Sequence, residues 1–246
     1  MSGPRLRLLP FAVADGPVNM AADETLLDAA AGGTATLRFY GWTEATISLG
    51  YFQEAAARRA DPLLASLPYV RRPSGGEALV HHLEVTYALA LPPGPPWQRR
   101  GVSWVYRFHV LLRDALATLG VRCDLCPADG EKRLGDFLCF LHHTPDDLLI
   151  GSSKVVGSAQ RRPRGALMQH GGILLAQSPH TPQLPGIAGL SGRRLSVDDL
   201  SGAVSERLTE DLGWTVEPGA WSDAERRRIA ELIETRYGTA AWNDKR

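Results

Sequence analysis

The alternation of apolar and polar residues along the chain predicts a series of strands. Large apolar residues alternate with small or polar ones over residues 84–91, which is typical of a strand with one face against the core. Residues 36–40 and 46–51 are rich in β-branched and aromatic residues and predict two further strands. Two more apolar runs, 154–162 and 169–175, flank a basic Pro-Arg-Gly turn, and this pattern predicts a β-hairpin.

Apolar residues at helical spacing, together with capping residues, predict five helices. Four of them begin after a predicted N-cap residue, and these residues are Asn19, Ser103, Ser196 and Ser222. The remaining helix is predicted over 55–67. Because strands and helices alternate along the chain, we expect one α+β domain over residues 1–246, with helices flanking a mainly antiparallel β-sheet.

Composition and charge narrow the class of protein. Lys plus Arg equals Asp plus Glu at 27 each, so no overall field favours nucleic acid or an anionic membrane. The hydrophobic content of 44% suffices for a packed core, and no apolar run approaches the roughly 20 residues that span a bilayer. Residues 1–10 have too short an apolar core for a secretory signal, and the odd count of three cysteines argues for reduced thiols. We therefore expect a cytoplasmic globular protein with no nucleic-acid or membrane partner.

The predicted hairpin carries two side chains with proton chemistry. Lys154 stands near the start of the first arm and His170 stands on the second arm, so we expect the two side chains to meet across one sheet. A hairpin with a purely structural role requires neither residue.

A glycine-containing loop joins two of the predicted strands. Arg71 and Arg72 enter the loop, Gly75 and Gly76 let the backbone approach a ligand closely, and the chain leaves as a strand that ends at His81. Such a loop suits an anionic or carbonyl group. The alternative interpretation is an ordinary Pro-Gly turn between exposed strands.

The three cysteines differ in their surroundings. Cys123 and Cys126 form a Cys-x-x-Cys pair, but no second pair stands at metal-ligand spacing and no helix follows to activate a thiol. We therefore interpret this pair as structural. Cys139 lies in a loop that leads directly into the hairpin with Lys154, and its alternative interpretation is a buried, inert cysteine.

Three blocks of the chain together resemble the signature of the lipoate-protein ligase and octanoyltransferase family. They are residues 71–81 (Arg-Arg-x-Ser-Gly-Gly-x-Ala-x-x-His), 154–160 (Lys-Val-x-Gly-Ser-Ala-Gln) and 169–175 (Gln-His-Gly-x-Ile-Leu-Leu). Their order and separation are also similar, and the similarity extends from 19–27 to 237–243. The resemblance implies a biotin/lipoyl protein ligase-like catalytic domain with no C-terminal accessory domain.

The resemblance implies one of two chemistries. Lipoate ligases activate a free acid with ATP, and here a ligase would need a separate accessory protein. The octanoyltransferase branch uses a cysteine and no cofactor, and this chain resembles it in Cys139-Phe140, in Glu-Val-Thr-Tyr at 84–87 and in Gln169 before His170. These residues favour the transferase. The alternatives are the ligase, an amidotransferase that moves lipoyl or octanoyl groups between proteins, and a non-catalytic acyl-protein binding module.

The residue types fit the transfer chemistry that the resemblance implies. A thiolate attacks a thioester carbonyl without ATP because that bond is already activated, and a nearby ammonium lowers a thiol pKa. Cys139 is therefore the predicted nucleophile, and Lys154 is predicted to stabilise its thiolate and to handle protons on the acceptor amine. Further residues of the three blocks are predicted to bind substrate, with no metal ligand among them: Arg71, Arg72, Ser74, Gly75, Gly76, His81, Gly157, Ser158, Ala159, Gln160, His170 and Gly171.

The resemblance also implies two protein partners. Acyl carrier protein would be the octanoyl donor, and the acceptor would be the lysine of a lipoyl domain, such as the H protein of the glycine cleavage system or a 2-oxoacid dehydrogenase subunit. An eight-carbon chain needs an apolar tunnel, for which Leu79, Val80 and Val156 are candidates.

The chain departs from the family pattern at two positions. Glu77 stands where the family usually has a small or basic residue, and His82 replaces the acidic residue that commonly follows the histidine of the first block. Because Cys139 and Lys154 are both in place, we expect an altered preference for substrate or acceptor rather than a loss of activity.

Overall fold

An eight-stranded mixed sheet forms the centre of the protein. The computed structural model describes residues 3–98, 101 and 103–246, so Met1 and Ser2, at the start of the segment considered as a secretory signal, lie outside the described residues. The strands of the described part are β1 Arg5–Ala14, β2 Thr36–Trp42, β3 Thr46–Leu49, β4 Tyr69–Arg71, β5 Leu79–His81, β6 Glu84–Leu91, β7 Asp124–Leu125, β8 Lys132–Arg133, β9 His142–His143, β10 Leu148–Ile150, β11 Ser153–Arg161, β12 Leu167–Leu174 and β13 Thr215–Pro218.

The large sheet has the strand order β13-β1-β2-β6-β12-β11-β10-β7. Strand β1 runs parallel to both β13 and β2, and every other neighbouring pair in this sheet is antiparallel. A helix connects β1 to β2, and such a crossover makes two neighbouring strands parallel. A smaller sheet has β3 between β4 and β5, and β8 pairs with β9. The prediction of an α+β fold with a mainly antiparallel sheet is confirmed.

The α-helices of the described residues flank the large sheet. They are α1 Gly16–Ala31, α2 Trp104–Thr118, α3 Gly186–Ser191, α4 Val197–Leu212, α5 Asp223–Leu232 and α6 Ala240–Asn243. Within this part of the chain, no helix combines the length and the apolar character needed to cross a bilayer. Ser103, Ser196 and Ser222 are the N-caps of α2, α4 and α5, as predicted.

Two of the helix predictions are wrong. Helix α1 begins earlier, because the Asp15 carboxylate caps it by accepting from the backbone N–H of Val18 at 2.9 Å. Asn19 lies inside that helix, and its side-chain amide donates to the carbonyl of Gly41. The predicted helix over 55–67 is limited to a short 3-10 turn, Ala55–Ala60. Asp61 has extended backbone angles there, since the residue before a proline avoids the helical region.

The two faces of the large sheet pack against different helices. Phe39 and Tyr87 point to the face that carries α2 and α4, where they join the main hydrophobic core. Tyr40 and Ala88, the next residue along each strand, point to the face that carries α1. This alternation follows from the two-residue period of a strand, and it assigns each strand residue to one of two environments.

The predicted hairpin is present as β11 and β12, and a bulge changes where its lysine points. The backbone register pairs Leu148 with Val156 but Leu149 with Lys154, so β11 has one extra residue at this point. The bulge turns Lys154 to the same face as Gly157, since a Cβ on Gly157 would lie 2.9 Å from Nζ of Lys154. The expected meeting of Lys154 and His170 is wrong, because His170 pairs with Ala159, five residues further along β11.

Candidate active site

A pocket lies between the three-stranded sheet and the face of the large sheet that carries α1. Its volume is about 460 Å³, including the space at its mouth. Met20 and Tyr40 line it from α1 and the large sheet, Leu79 and His81 line it from the small sheet, and Cys139 lies in its wall. A pocket with an apolar lining and a few polar groups is the usual form of a small-molecule site.

Cys139 is attached to the end of the glycine-containing loop. It opens a single 3-10 turn, Cys139–Leu141, and its backbone N–H donates to the carbonyl of Ala78 at 2.8 Å. Leu138 and Ala78 form an isolated β-bridge at the same place. The half-buried thiol is therefore held in the pocket wall by backbone hydrogen bonds, although the sequence around it predicts only a loop.

Lys154 lies beside the thiol as a buried ammonium. Its Nζ is 3.7 Å from Sγ of Cys139 and donates to the carbonyls of Cys139 and His142, at 3.3 Å and 3.0 Å. It also forms an ion pair with Asp147, with 2.7 Å between Nζ and Oδ2. The exposed fractions of the two side chains are 2% and 3%, so this charge is compensated away from water.

Asp147 is part of the site and was missed by the sequence analysis. Its carboxylate also accepts from the backbone N–H and the hydroxyl of Thr144, at 2.7 Å and 3.0 Å. The preceding residue, Asp146, has a φ of 75°, and Nδ1 of His109 donates to its carbonyl at 2.6 Å. These bonds orient the carboxylate toward Lys154. A buried lysine requires a partner of opposite charge, but which carboxylate serves as that partner depends on the turn before β10.

Arg72 brings a second positive charge to the same pocket. Its guanidinium is buried and donates to the carbonyls of Ser48 and Gly75, at 2.8 Å and 3.0 Å. Burial lowers the pKa of Arg72, while the negative charges of Cys139 and Glu77 raise it. The thiol of Cys139 therefore has two cationic side chains nearby, Arg72 and Lys154.

His170 occupies the pocket wall formed by β12. Its Nδ1 lies 2.9 Å from Oδ2 of Asp23, and its Nε2 lies 2.6 Å from the hydroxyl of Ser74. Burial alone would raise the pKa of Asp23, but the Arg38 guanidinium and His170 hold it below its usual value. Asp23 thus remains a carboxylate that connects α1 through His170 to the glycine-containing loop.

His81 occupies the opposite wall and has a carboxylate of its own. Its Nδ1 lies 2.9 Å from Oε1 of Glu84, and its Nε2 lies 2.8 Å from the hydroxyl of Ser48. The ring stacks on Trp42, with 3.8 Å between the ring centroids and 15° between the planes. Burial lowers the pKa of His81, although Glu84 raises it, so the ring is neutral near pH 7.

The structure brings most of the predicted site residues together. Those that line the pocket are Arg72, Gly76, His81, Cys139, Gly157, Ser158, Ala159, His170 and Gly171, and those outside its lining are Arg71, Ser74, Gly75, Lys154 and Gln160. Among the second group, Lys154 contacts Cys139 directly and Ser74 contacts His170.

Two residues of the second group have mainly structural contacts. The guanidinium of Arg71 is fully buried and donates to the backbone carbonyls of Gly50, Gln53 and Asn243, so it fixes the start of the glycine-containing loop. The amide of Gln160 donates to that of Gln169 on the neighbouring strand at 2.8 Å.

The candidates for an apolar tunnel are partly wrong. Leu79 lines the pocket, as expected. Val80 packs instead under the small sheet, beside Ile47 and Leu138. Val156 lies in the main core on the other face of the large sheet, so it is separated from the pocket by the backbone of β11.

Glu77, one of the two departures from the family pattern, connects two loops around the pocket. Its Oε1 lies 3.0 Å from a guanidinium nitrogen of Arg133 and 3.7 Å from Nδ1 of His142. His82, the other departure, lies next to Ser178, with 2.9 Å between Nδ1 and the hydroxyl oxygen. Neither side chain lines the pocket that contains Cys139.

Cys123 and Cys126 are both buried free thiols. Burial raises the pKa of Cys123 to about 12 and also raises that of Cys126. A thiol that keeps its proton near neutral pH is a poor nucleophile, which is consistent with a structural role for this pair.

Comparison with known proteins identifies the family. Residues 15–181 match the model of the lipoyl protein ligase A/B catalytic domain. The Octanoyltransferase LipM of Symbiobacterium thermophilum is 33% identical over 96% of this chain and 97% of its own length. That of Kyrpidia tusciae is 32% identical, with the same coverage of each chain.

Solved structures share the fold. The structure of lipoate-protein ligase A bound with ATP superposes with a TM-score of 0.74 at 19% identity, covering 99% of each chain. The bi-partite lipoate protein ligase from Thermoplasma acidophilum gives 0.73 at 18% identity, covering 99% of this chain and 97% of its own. The family match and the curated relatives together show that the chain belongs to the lipoyl protein ligase A/B catalytic domain family.

Proposed function

We propose that this protein is an octanoyltransferase of lipoate biosynthesis, in which Cys139 carries the acyl group as a thioester. The observation that supports this most directly is the position of the thiol. Cys139 lies in the wall of an apolar pocket, with the buried ammonium of Lys154 at 3.7 Å from Sγ. The relatives named octanoyltransferase, which match along almost the whole chain, support the acyl group and the reaction class.

In the first step, the Cys139 thiolate attacks the carbonyl carbon of octanoyl-acyl carrier protein. A new C–S bond forms, the bond to the carrier sulfur breaks, and the released carrier thiolate takes a proton from water. Lys154 and Arg72 lower the free energy of the attacking thiolate, because both are cations in a poorly hydrated site. The thioester is already activated, so this route needs neither ATP nor another cofactor.

In the second step, the acceptor is the lysine of a lipoyl domain, such as the H protein or a 2-oxoacid dehydrogenase subunit. Its nitrogen, as the neutral amine, attacks the octanoyl-Cys139 carbonyl and an amide bond forms. The C–S bond breaks with its electron pair on the cysteine, which leaves as the thiolate, and the amine gives up one N–H proton to water. The apolar side chains of Met20 and Leu79 are suited to hold the hydrocarbon tail. We place this reaction in the cytoplasm, where thiols stay reduced.

Intact-protein mass spectrometry tests the proposal. The purified protein is mixed with octanoyl-acyl carrier protein and no ATP, and then with a lipoyl domain. We expect an octanoyl adduct that is absent in Cys139→Ala and that moves to the lipoyl domain. Cys126→Ala is the matched control and is expected to keep the adduct, because that thiol is buried with a raised pKa. Cys139→Ala is expected to fold normally, since a half-buried thiol contributes little packing.

The opposite outcome identifies the main alternative. If no adduct forms without ATP, while the lipoyl domain is modified from free octanoate or lipoate with ATP, the protein is a ligase and Cys139 has only a packing role. If neither protein is modified but acyl carrier protein binds with unchanged affinity to Cys139→Ser, the chain is a binding module.

A further inference from the structure

Three polar residues of the signature blocks point to the face of the large sheet opposite the pocket. Ser158 and Gln160 lie on β11 to either side of Ala159, which pairs with His170 of the pocket wall. Successive side chains of a strand point to opposite faces, so Ser158, Gln160 and Gln169 point toward the face that carries α2. Ser158 borders the pocket, but its hydroxyl contacts α2. A role in substrate binding therefore does not explain these three side chains.

These three side chains and His109 form one chain of hydrogen bonds, which we call the far-face chain. The amide nitrogen of Gln160 donates to the amide oxygen of Gln169 at 2.8 Å. The amide nitrogen of Gln169 donates to the hydroxyls of Tyr87 and Ser158, at 3.4 Å and 3.2 Å. The Ser158 oxygen accepts this bond, so its own hydrogen is free to donate to Nε2 of His109, at 2.9 Å. Gln169 and His109 are fully buried, so their polar atoms need such partners.

His109 connects the far-face chain to the turn before β10. Its Nδ1 lies 2.6 Å from the carbonyl oxygen of Asp146, and a carbonyl only accepts, so Nδ1 carries a hydrogen. Burial is the main cause that lowers the pKa of His109, so the ring is neutral near pH 7. Nε2 then presents its lone pair to the hydroxyl of Ser158 and, at 3.3 Å, to that of Tyr87. The imidazole therefore bridges the strand and the turn in one fixed orientation.

The bond from His109 holds one end of the peptide that joins Asp146 to Asp147. The carbonyl of this peptide accepts from His109, and its N–H donates to the carbonyl of Thr144 at 3.1 Å. Asp146 has a φ of 75°, which non-glycine residues rarely adopt. Because a peptide is planar, these two bonds fix the direction in which the chain leaves Asp146 and therefore the position of the Asp147 side chain. Oδ2 of Asp147 lies 2.7 Å from Nζ of Lys154.

We propose that the far-face chain positions Lys154 beside Cys139, because its last member, His109, fixes the peptide that precedes Asp147. The inference rests on the proposed function, in which Lys154 and Cys139 are the reacting pair. Nζ lies 3.7 Å from Sγ, and a displacement of about 1 Å in a catalytic group can slow a reaction by about 100-fold. The members of the chain act from the α2 face through Asp147 and are positioning residues. The signature residues at 158, 160 and 169 thereby serve the geometry of the site.

Two substitutions of His109 separate positioning from a general structural role. The amide nitrogen of Asn stands at the same place along the side chain as Nδ1, so His109→Asn can still donate to the carbonyl of Asp146. The amide nitrogen of Gln corresponds to Nε2, so His109→Gln can reach Ser158 but loses the bond to Asp146. Both variants remove a fully buried imidazole ring. A merely structural role therefore predicts similar losses for the two.

Single-turnover acylation of Cys139 by octanoyl-acyl carrier protein, followed by intact-protein mass spectrometry at several carrier concentrations, tests the inference. For His109→Gln we expect the rate at saturating carrier to fall by about 10- to 100-fold. The carrier concentration that gives half of this rate should change by less than about threefold, because the pocket lining is unaltered. His109→Asn should stay within about threefold of the wild-type rate. Alkylation of Cys139 by iodoacetamide should follow the same order, with urea unfolding used to correct each rate for the folded fraction.

A second variant changes another member of the far-face chain. Ser158→Ala removes the hydroxyl that bonds Nε2 of His109 but leaves the bond to Asp146, so we expect acylation to slow by about threefold to tenfold. In the His109→Gln background, Ser158→Ala should slow acylation by less than about twofold more, since both changes act through the same peptide. Ser178→Ala is the matched control, because it removes a buried serine hydroxyl that contacts His82 outside the pocket.

The outcomes are distinguishable. If His109→Asn and His109→Gln slow acylation equally, or if neither slows it, the far-face chain does not position Lys154 and the thioester route stands. If neither variant of His109 folds, Ser158→Ala decides: slower acylation than in Ser178→Ala supports the inference, and an equal rate overturns it. If the wild type never forms an octanoyl adduct on Cys139, the proposed function fails, and the alkylation rates of the same variants still decide whether the chain positions Lys154.

Discussion

Replacing Asp147 with Asn tests whether the buried ion pair holds Lys154 beside the thiol. The Oδ2 atom of Asp147 is 2.7 Å from Nζ, and both side chains are almost completely buried. Breaking a buried pair by removing one partner typically costs about 3–5 kcal/mol, because the remaining charge is uncompensated. Lys154 keeps its two carbonyl acceptors, so we expect a value near the lower end, about 3 kcal/mol.

The same substitution is expected to reduce the reactivity of Cys139. Without its carboxylate, the Lys154 ammonium has no countercharge in the buried site, so we expect it to move toward water. The thiolate then loses a cation at 3.7 Å. Alkylation of Cys139 by iodoacetamide at neutral pH should therefore slow by about tenfold.

Urea unfolding and intact-mass alkylation rates measure the two effects, and Asp146→Asn is the matched control. It removes the same charge from the neighbouring residue, and Asn tolerates the φ of 75° at that position. If Asp147→Asn unfolds within about 1 kcal/mol of this control and alkylates equally fast, the ion pair does not hold Lys154 and the reasoning is wrong.

Two further predictions follow from the same region. Gly157→Ala would place a Cβ 2.9 Å from Nζ of Lys154 and closer still to its Cε, so the lysine would have to move. We therefore expect slower alkylation of Cys139. Gly202→Ala is the control, because a Cβ there meets no atom within 4 Å and should leave the alkylation rate unchanged. Burial lowers the pKa of His109 in the folded protein. As the pH falls below about 6.5, the unfolded chain therefore binds a proton at this residue before the folded chain does, and the free energy of unfolding decreases. In His109→Gln, the difference in the free energy of urea unfolding between pH 7 and pH 5 should be smaller.

Much of the fold follows from local patterns in the chain. Ser196 and Ser222 form capping boxes with Asp199 and Glu225, and the hydrophobic stripe after Ser103 is a helix, because these signals act within one or two turns. The start of α1 was misplaced for the same reason. Asp15 and Asn19 are both good caps, and the choice between them depends on the contacts of the Asn19 amide with the carbonyls of Ala14 on β1 and Gly41 on β2.

The site was predicted less completely, because it depends on contacts between distant segments. Cys139 and Lys154 were identified by resemblance, but Asp147 was missed, since its role depends on a turn and on His109 from α2. Glu84 was noted only as part of a motif. Its contact with His81, three residues earlier, depends on the turn between β5 and β6, where Leu83 has a φ of 56°, and alternation along one strand contains no such information.

The position of Lys154 beside the thiol depends on two segments of the chain that local patterns do not connect. Asp147, in the turn before β10, accepts from Nζ together with the carbonyls of Cys139 and His142. The bulge in β11 turns the lysine toward these acceptors, since the register pairs Leu148 with Val156 but Leu149 with Lys154. Without the extra residue, the two-residue period of a strand would direct Lys154 to the opposite face of the sheet. The bulge and the turn are therefore as necessary to the proposed reaction as the nucleophile.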